Sequence, residues 1–182
     1  MRTVTYGAAC SLDGFIAASD GALDWLHFSR DVEKAMSRYW HGIDAVLMGR
    51  KTWEFSVGMN PEARATGPAD GNGTPSIRAY IFSRTLSAAP AGVELVSSDA
   101  GRFVQELKRK PGKGICLMGG GELAASLFEA GVIDEVNLNV HPILLGSGVP
   151  FFRDPKRRIA LELAESRTID GGCVLLTYRV RR

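Results

Sequence analysis

The sequence predicts an α/β fold: a mainly parallel central sheet, helices on both faces, and an antiparallel hairpin at the C-terminal end. Three observations predict it. Short apolar, β-branched runs alternate with segments of helical period along most of the chain. The last two runs are separated only by Ile169-Asp170-Gly171-Gly172, a tight-turn signal that makes them a hairpin. The 21 glycines among 182 residues exceed the average share, and several stand where a strand gives way to a helix.

The elements follow in order. Strands are expected at 3–10, 45–48, 79–82, 93–96, 114–118, 135–142, 160–167 and 173–180, each bounded by turn residues. A helix over 31–40 carries Val32, Ala35, Met36 and Tyr39 on one face. A second, over 99–108, opens with Asp99 and turns Phe103, Val104 and Leu107 inward. A third, over 121–130, has Leu123, Leu127 and Ala130 inward, with Gly131 placed to end it in a left-handed cap. Residues 67–75 crowd proline and glycine and predict a surface loop. Strand–helix–strand alternation implies parallel pairing, and the closing hairpin an antiparallel edge.

Composition bounds the function. One domain spanning 1–182 suits the length. Apolar residues at 45% and charged ones at 23% are ordinary for a globular chain, and no run approaches the ~20 apolar residues of a membrane span. The start lacks the apolar stretch of a secretory signal. A formal charge of +2 gives no nucleic-acid footprint. Cys10, Cys116 and Cys173 lie far apart in apolar runs, and His27, His41 and His141 have no ligand spacing, so neither a metal nor a disulfide framework is expected. The thiols fit a cytoplasmic protein.

Sheets of this kind bind ligands beyond the carboxyl ends of their strands, so chemistry is sought there. Three segments qualify. In the first, Ile115-Cys116-Leu117-Met118 runs into Gly119-Gly120-Gly121-Glu122-Leu123. Glycines let backbone N–H groups approach a ligand, and the helix start adds unsatisfied donors and partial positive charge, together an anion site suited to a pyrophosphate. The pattern is neither GxGxxG nor a Walker loop. In the second, Val46-Leu47-Met48 meets Gly49-Arg50-Lys51-Thr52-Trp53-Glu54, with two cations and a hydroxyl at the start of a short helix. In the third, Tyr80-Ile81-Phe82 ends in Ser83-Arg84-Thr85, where an arginine beside a hydroxyl suits a ribose 2′-phosphate. All three favour anions, and one phosphorylated dinucleotide would use them all.

In this order the motifs resemble the dihydrofolate reductase-like fold. Ser11-Leu12-Asp13-Gly14-Phe15-Ile16-Ala17 and His141-Pro142-Ile143-Leu144-Leu145-Gly146-Ser147-Gly148 are similar to one branch of it, the reductase domain of bacterial riboflavin biosynthesis and its stand-alone relatives. The resemblance runs from about Val4 to Tyr178. It implies an NADPH-dependent reductase. Gly49, Arg50, Lys51 and Thr52 would meet the pyrophosphate and adenine-side phosphates. Ser83 and Arg84 would bind the 2′-phosphate, and Gly119, Gly120, Gly121, Glu122 and Leu123 would cradle the pyrophosphate. Ala8 and the loop Asp13-Gly14-Phe15-Ile16 would flank the nicotinamide and gate the site. The carboxylate that protonates the substrate in dihydrofolate reductases maps near Glu33, with Asp31 one register away. Asp13 is a second candidate acid, although Asp-Gly is also a turn. Phe15, Trp25 and Trp53 are candidates to stack on a flat ring. The tryptophan–proline stretch of true dihydrofolate reductases is missing, and Leu23-Asp24-Trp25-Leu26 stands in that region.

The implied reaction is hydride transfer to a pteridine or ribosylamino-pyrimidine. The alternative is a module of the same fold that binds a nucleotide without turnover. The resemblance also implies a homodimer through the sheet edge, and Val149-Pro150-Phe151-Phe152 offers an apolar patch for a partner.

Overall fold

The computed structural model describes residues 1–59, 77–89, 92–153 and 156–182. The loop expected over 67–75 lies outside the described residues. The elements are β1 (Val4–Ser11), β2 (Phe15–Ala17), α1 (Arg30–His41), β3 (Ile43–Gly49), α2 (Arg50–Met59), β4 (Arg78–Phe82), β5 (Val93–Val96), α3 (Ala100–Arg109), β6 (Gly114–Gly119), α4 (Gly121–Glu129), β7 (Glu135–His141), β8 (Val149–Pro150), β9 (Leu161–Ile169) and β10 (Cys173–Val180). Eight strands form one sheet in the order β5-β4-β3-β6-β1-β7-β10-β9. Pairing is parallel from β5 to β7 and antiparallel from β7 through β10 to β9, as the alternation and the closing turn predict.

Period-two alternation sends side chains to two cores. Val4 and Tyr6 of β1, Leu47 of β3 and Leu117 of β6 pack with Val104 of α3 and Leu127 and Phe128 of α4. On the other face Val46, Met48 and Cys116 pack with Tyr39 and Trp40 of α1 and Trp53 of α2. At the far end of α1, Val32 meets Ile169 and Cys173. Helices therefore cover both faces. All three cysteines are buried free thiols, and burial pushes Cys10 up to about 11 and Cys116 up to about 12.

Helix ends follow their local sequence. Ser29 caps α1 by accepting the Val32 N–H at 3.3 Å, and Asp99 caps α3 by accepting the Arg102 N–H at 2.7 Å. Gly131, at φ 65°, ends α4. Its N–H reaches the Phe128 carbonyl and the Val132 N–H reaches the Leu127 carbonyl, a Schellman pair.

The sequence reading misses two short strands. β2 and β8 pair as a two-stranded antiparallel ribbon beside the main sheet. With three and two residues, neither is long enough to display a period. The ribbon also corrects the expected partner patch. Phe151 is 1% exposed and stacks on Tyr6 with centroids 4.2 Å apart, so it belongs to the core, whereas Phe152 stays 45% exposed.

Candidate functional site

β4, β3 and β6 end in step, with Gly49 beside Phe82 and Met48 beside Gly119. The three strand exits singled out in the sequence therefore stand side by side at one end of the sheet. Two of them touch. A Cβ on Gly120 would lie 3.4 Å from the Gly49 Cα, and one on Gly49 3.7 Å from the Gly120 Cα. Gly119 and Gly120 hold φ at 144° and 95°, which L side chains rarely adopt. The Thr52 side chain lies over Gly119, 3.6 Å from where a Cβ would stand. α2 begins at Arg50 and α4 at Gly121, and Gly120 supplies no side-chain cap. Two helix starts with open N–H donors thus face one glycine-lined corner, an arrangement that attracts anions.

The charged groups around this corner differ in their freedom. Arg50 pairs with Glu54 at 2.7 Å. Lys51 and Arg84 are exposed. The Ser83 hydroxyl accepts the N–H groups of Thr85 and Leu86 at 3.2 and 3.1 Å, which fixes the turn that carries Arg84. Glu122 is exposed at the start of α4 and pairs with Arg153 at 3.2 Å. Leu123 is buried and packs into the core. Arg153 is a residue the sequence reading misses. Its stem lies across Gly121, where a Cβ would fall 2.9 Å from Cγ. It stands some thirty positions along the chain from that glycine, and no motif signals it.

The sheet opens beside this corner. β1 pairs with β6 only from Val4 to Tyr6 but with β7 from Thr5 to Ser11. Beyond Tyr6 and Leu117 the two parallel neighbours part, and Ala8 lies on the margin of the gap. Ala8 and Ile16 are half-buried against the α4-side core. The loop expected to gate the gap is tied down. Asp13 accepts the Ser11 hydroxyl at 2.6 Å and the Leu145 and Gly146 N–H groups at 3.2 and 2.7 Å, while the Phe151 N–H reaches the Gly14 carbonyl. The Ser11 hydroxyl and then the two backbone donors lower the Asp13 pKa. This stabilised carboxylate staples the loop.

The other candidates scatter. Glu33 is exposed on α1, without the enclosure that general-acid work calls for. Trp53 packs in the core with Val46 and Met48. Phe15 sits in β2, its N–H on the Ser11 hydroxyl at 2.9 Å. Trp25 meets the His141 ring edge-on at 5.4 Å. Among the described residues no cluster of three histidine, cysteine or acidic side chains is placed to hold a metal, and no helix is long and apolar enough to cross a membrane.

This architecture is the dihydrofolate reductase-like fold. It superposes on dihydrofolate reductase of Enterococcus faecalis complexed with NADP(H) with a TM-score of 0.69 at 16% identity, over 99% of this chain and 97% of that one. The chain belongs to the RibD C-terminal domain family, whose model matches residues 2–175. A putative riboflavin biosynthesis protein from Shewanella sp. PV-4 is similar over the whole of both chains, with a TM-score of 0.82 and 26% identity. The uncharacterized protein YyaP of Bacillus subtilis strain 168 is 32% identical over 97% of this chain and 94% of its own.

Proposed function

We propose that the protein is an NADPH-dependent reductase acting on a small nitrogen heterocycle of the pteridine or ribosylamino-pyrimidine type. The observation that carries this reading is the convergence of three strand exits, two of them glycine-lined helix starts, beside a gap in the sheet. The residues fit the coenzyme: a Cβ at Gly120 would stand in contact with Gly49, 3.4 Å from its Cα, and fill the corner that a pyrophosphate needs. NADPH would supply the hydride. Gly49, Lys51, Thr52 and Gly119 to Gly121 would hold its phosphates through backbone donors and the threonine hydroxyl. Arg84, on the turn fixed by Ser83, would read the 2′-phosphate. Ala8 and Ile16 would border the gap from the side of the α4 core and keep it dry. Neither Glu33 nor Asp13 is placed as a buried acid, so ordered water would deliver the proton.

The test is coenzyme titration of the Arg84→Ala variant. A charge-assisted hydrogen bond contributes about 1.5–3 kcal/mol, so NADPH affinity should fall roughly 10- to 100-fold with NADH affinity unchanged. Equal loss for both would remove the 2′-phosphate assignment, and a wild type that binds neither would end the reductase reading. The nucleotide-binding module without turnover is favoured by the exposure of Glu33, and it predicts tight NADPH binding with no oxidation against pterins or riboflavin precursors.

A cytoplasmic homodimer completes the proposal. β9 pairs with β10 on one side only, and eight of its nine residues are exposed. Antiparallel pairing of two β9 strands centred between Ala164 and Glu165 would set Glu162 opposite Arg167 on both sides of the axis. Arg167→Glu should shift sedimentation toward monomer, and Glu162→Arg with Arg167→Glu should restore the dimer.

A further inference from the structure

We infer that Asn137, Asn139 and His141 of β7 form the hydrogen-bonding floor that selects the substrate ring, an inference that rests on the reductase reading for its chemistry. Alternate residues of a strand share one face, so the three side chains line up beneath α1. That helix crosses this face from Val32, against Cys173, to Tyr39, in the cluster with Cys116. The residues beside them on β1 are Gly7, Ala9 and Ser11, all small. Gly7 is required there, since a Cβ would fall 2.9 Å from the Asn137 carbonyl oxygen and 3.2 Å from its Cβ.

The polar atoms of this strip lack partners. The Asn137 and Asn139 Oδ1 atoms, His141 Nε2 and the neighbouring Trp25 Nε1 are all buried without a hydrogen bond. Each such atom costs about 1–3 kcal/mol when left unpaired, and native structures hold few of them. Here they cluster on an interior strand, separated from the gap between β1 and β6 by β1 itself. His141 is 2% exposed and aimed by its surroundings. Its Nδ1 faces the His27 N–H at 3.4 Å and the Cys173 thiol at 3.5 Å. Nδ1 is therefore the acceptor, and the ring proton sits on Nε2. The floor thus offers two unpaired carbonyl acceptors and one N–H donor, with the NH2 groups of the same two amides beside them. Its complement is a flat ring with amino or ring N–H donors next to a carbonyl, the edge of an aminopyrimidinone.

The test uses calorimetry of the full chain with 5,6-diaminouracil in saturating NADPH, for wild type, Asn139→Leu and Asn137→Val. Wild type should bind the probe, and each variant should lose at least tenfold in affinity. The 1,3-dimethyl analogue, which lacks the ring N–H donors, should bind wild type as weakly as the variants bind the parent. NADPH affinity should not change. Removing an unpaired buried amide should also leave the melting temperature equal or higher. Variants that lose stability and keep probe affinity would make the amides structural and overturn the inference, as would wild type that binds NADPH but not the probe. Asparagine-dependent probe binding in a chain that fails to bind NADPH would leave the floor standing and remove the reductase reading alone.

Discussion

The two ends of β7 carry opposite chemistry. At the residue leading into the strand, Asp134 satisfies three donors: the Val4 N–H at 2.9 Å, Lys108 Nζ at 2.5 Å and Arg182 at 2.6 Å. Lys108 is 4% exposed, and its ammonium also reaches the Val132 carbonyl at 3.0 Å. This corner locks β1, α3 and the C-terminal residues onto β7. Further along the same strand, Asn137, Asn139 and His141 bury polar atoms without partners. One end closes its hydrogen bonds within the chain, and the other leaves them open on the face beneath α1. Stability and recognition are thus divided along a single strand of seven residues.

Breaking the closed end should have the largest effect. Asp134→Ala strands the buried Lys108 ammonium, and removing one partner of a buried pair costs about 3–5 kcal/mol. A chemical denaturation midpoint within error of wild type would show that the corner is not a lock. Gly120→Val acts at the ligand end. It forces a β-branched side chain into φ 95°, at a backbone cost of about 1–3 kcal/mol, and fills the corner against Gly49. NADPH titration of the folded variant should be flat, and an unchanged isotherm would remove the glycine cradle.

The smallest effect sharpens the comparison through pH. Burial, and then His27, lowers the pKa of His141 below its ordinary 6.5. The folded chain therefore keeps the ring neutral, while the unfolded chain takes a proton as pH drops below 6.5. His141 should contribute its full stability above pH 6.5 and lose it as pH falls toward the lowered value. Melting curves of His141→Gln should be flatter than wild type across that window, and parallel curves would contradict the assignment.

Much of this was legible in the residues. Gly49 and Gly119 to Gly121 announced themselves because a strand running into glycine and then a helix has a narrow set of backbone solutions. Ser83-Arg84 stood out by its place after an apolar strand. Asp99, Gly131 and Asp170-Gly171-Gly172 are local signals with local causes, and they sit at the ends they predict. What depends on distant contacts was not legible. Asn137 and Asn139 look like the outward half of an alternating strand, and only α1, lying across that face, makes them interior. Phe151 looked like surface because its partner, Tyr6, lies at the other end of the chain. Glu33 matches the acid only by its position along the chain, and its exposure follows from helix phase, with Val32 taking the inward position.

The parting of β1 from β6 after Tyr6 has a consequence for access. A sheet unzipped by a few residues at one end leaves a break in its hydrogen bonding that is bordered by backbone on both sides. In the proposed reduction, coenzyme and ring would approach that break from different sides, each recognised by a different layer of the molecule.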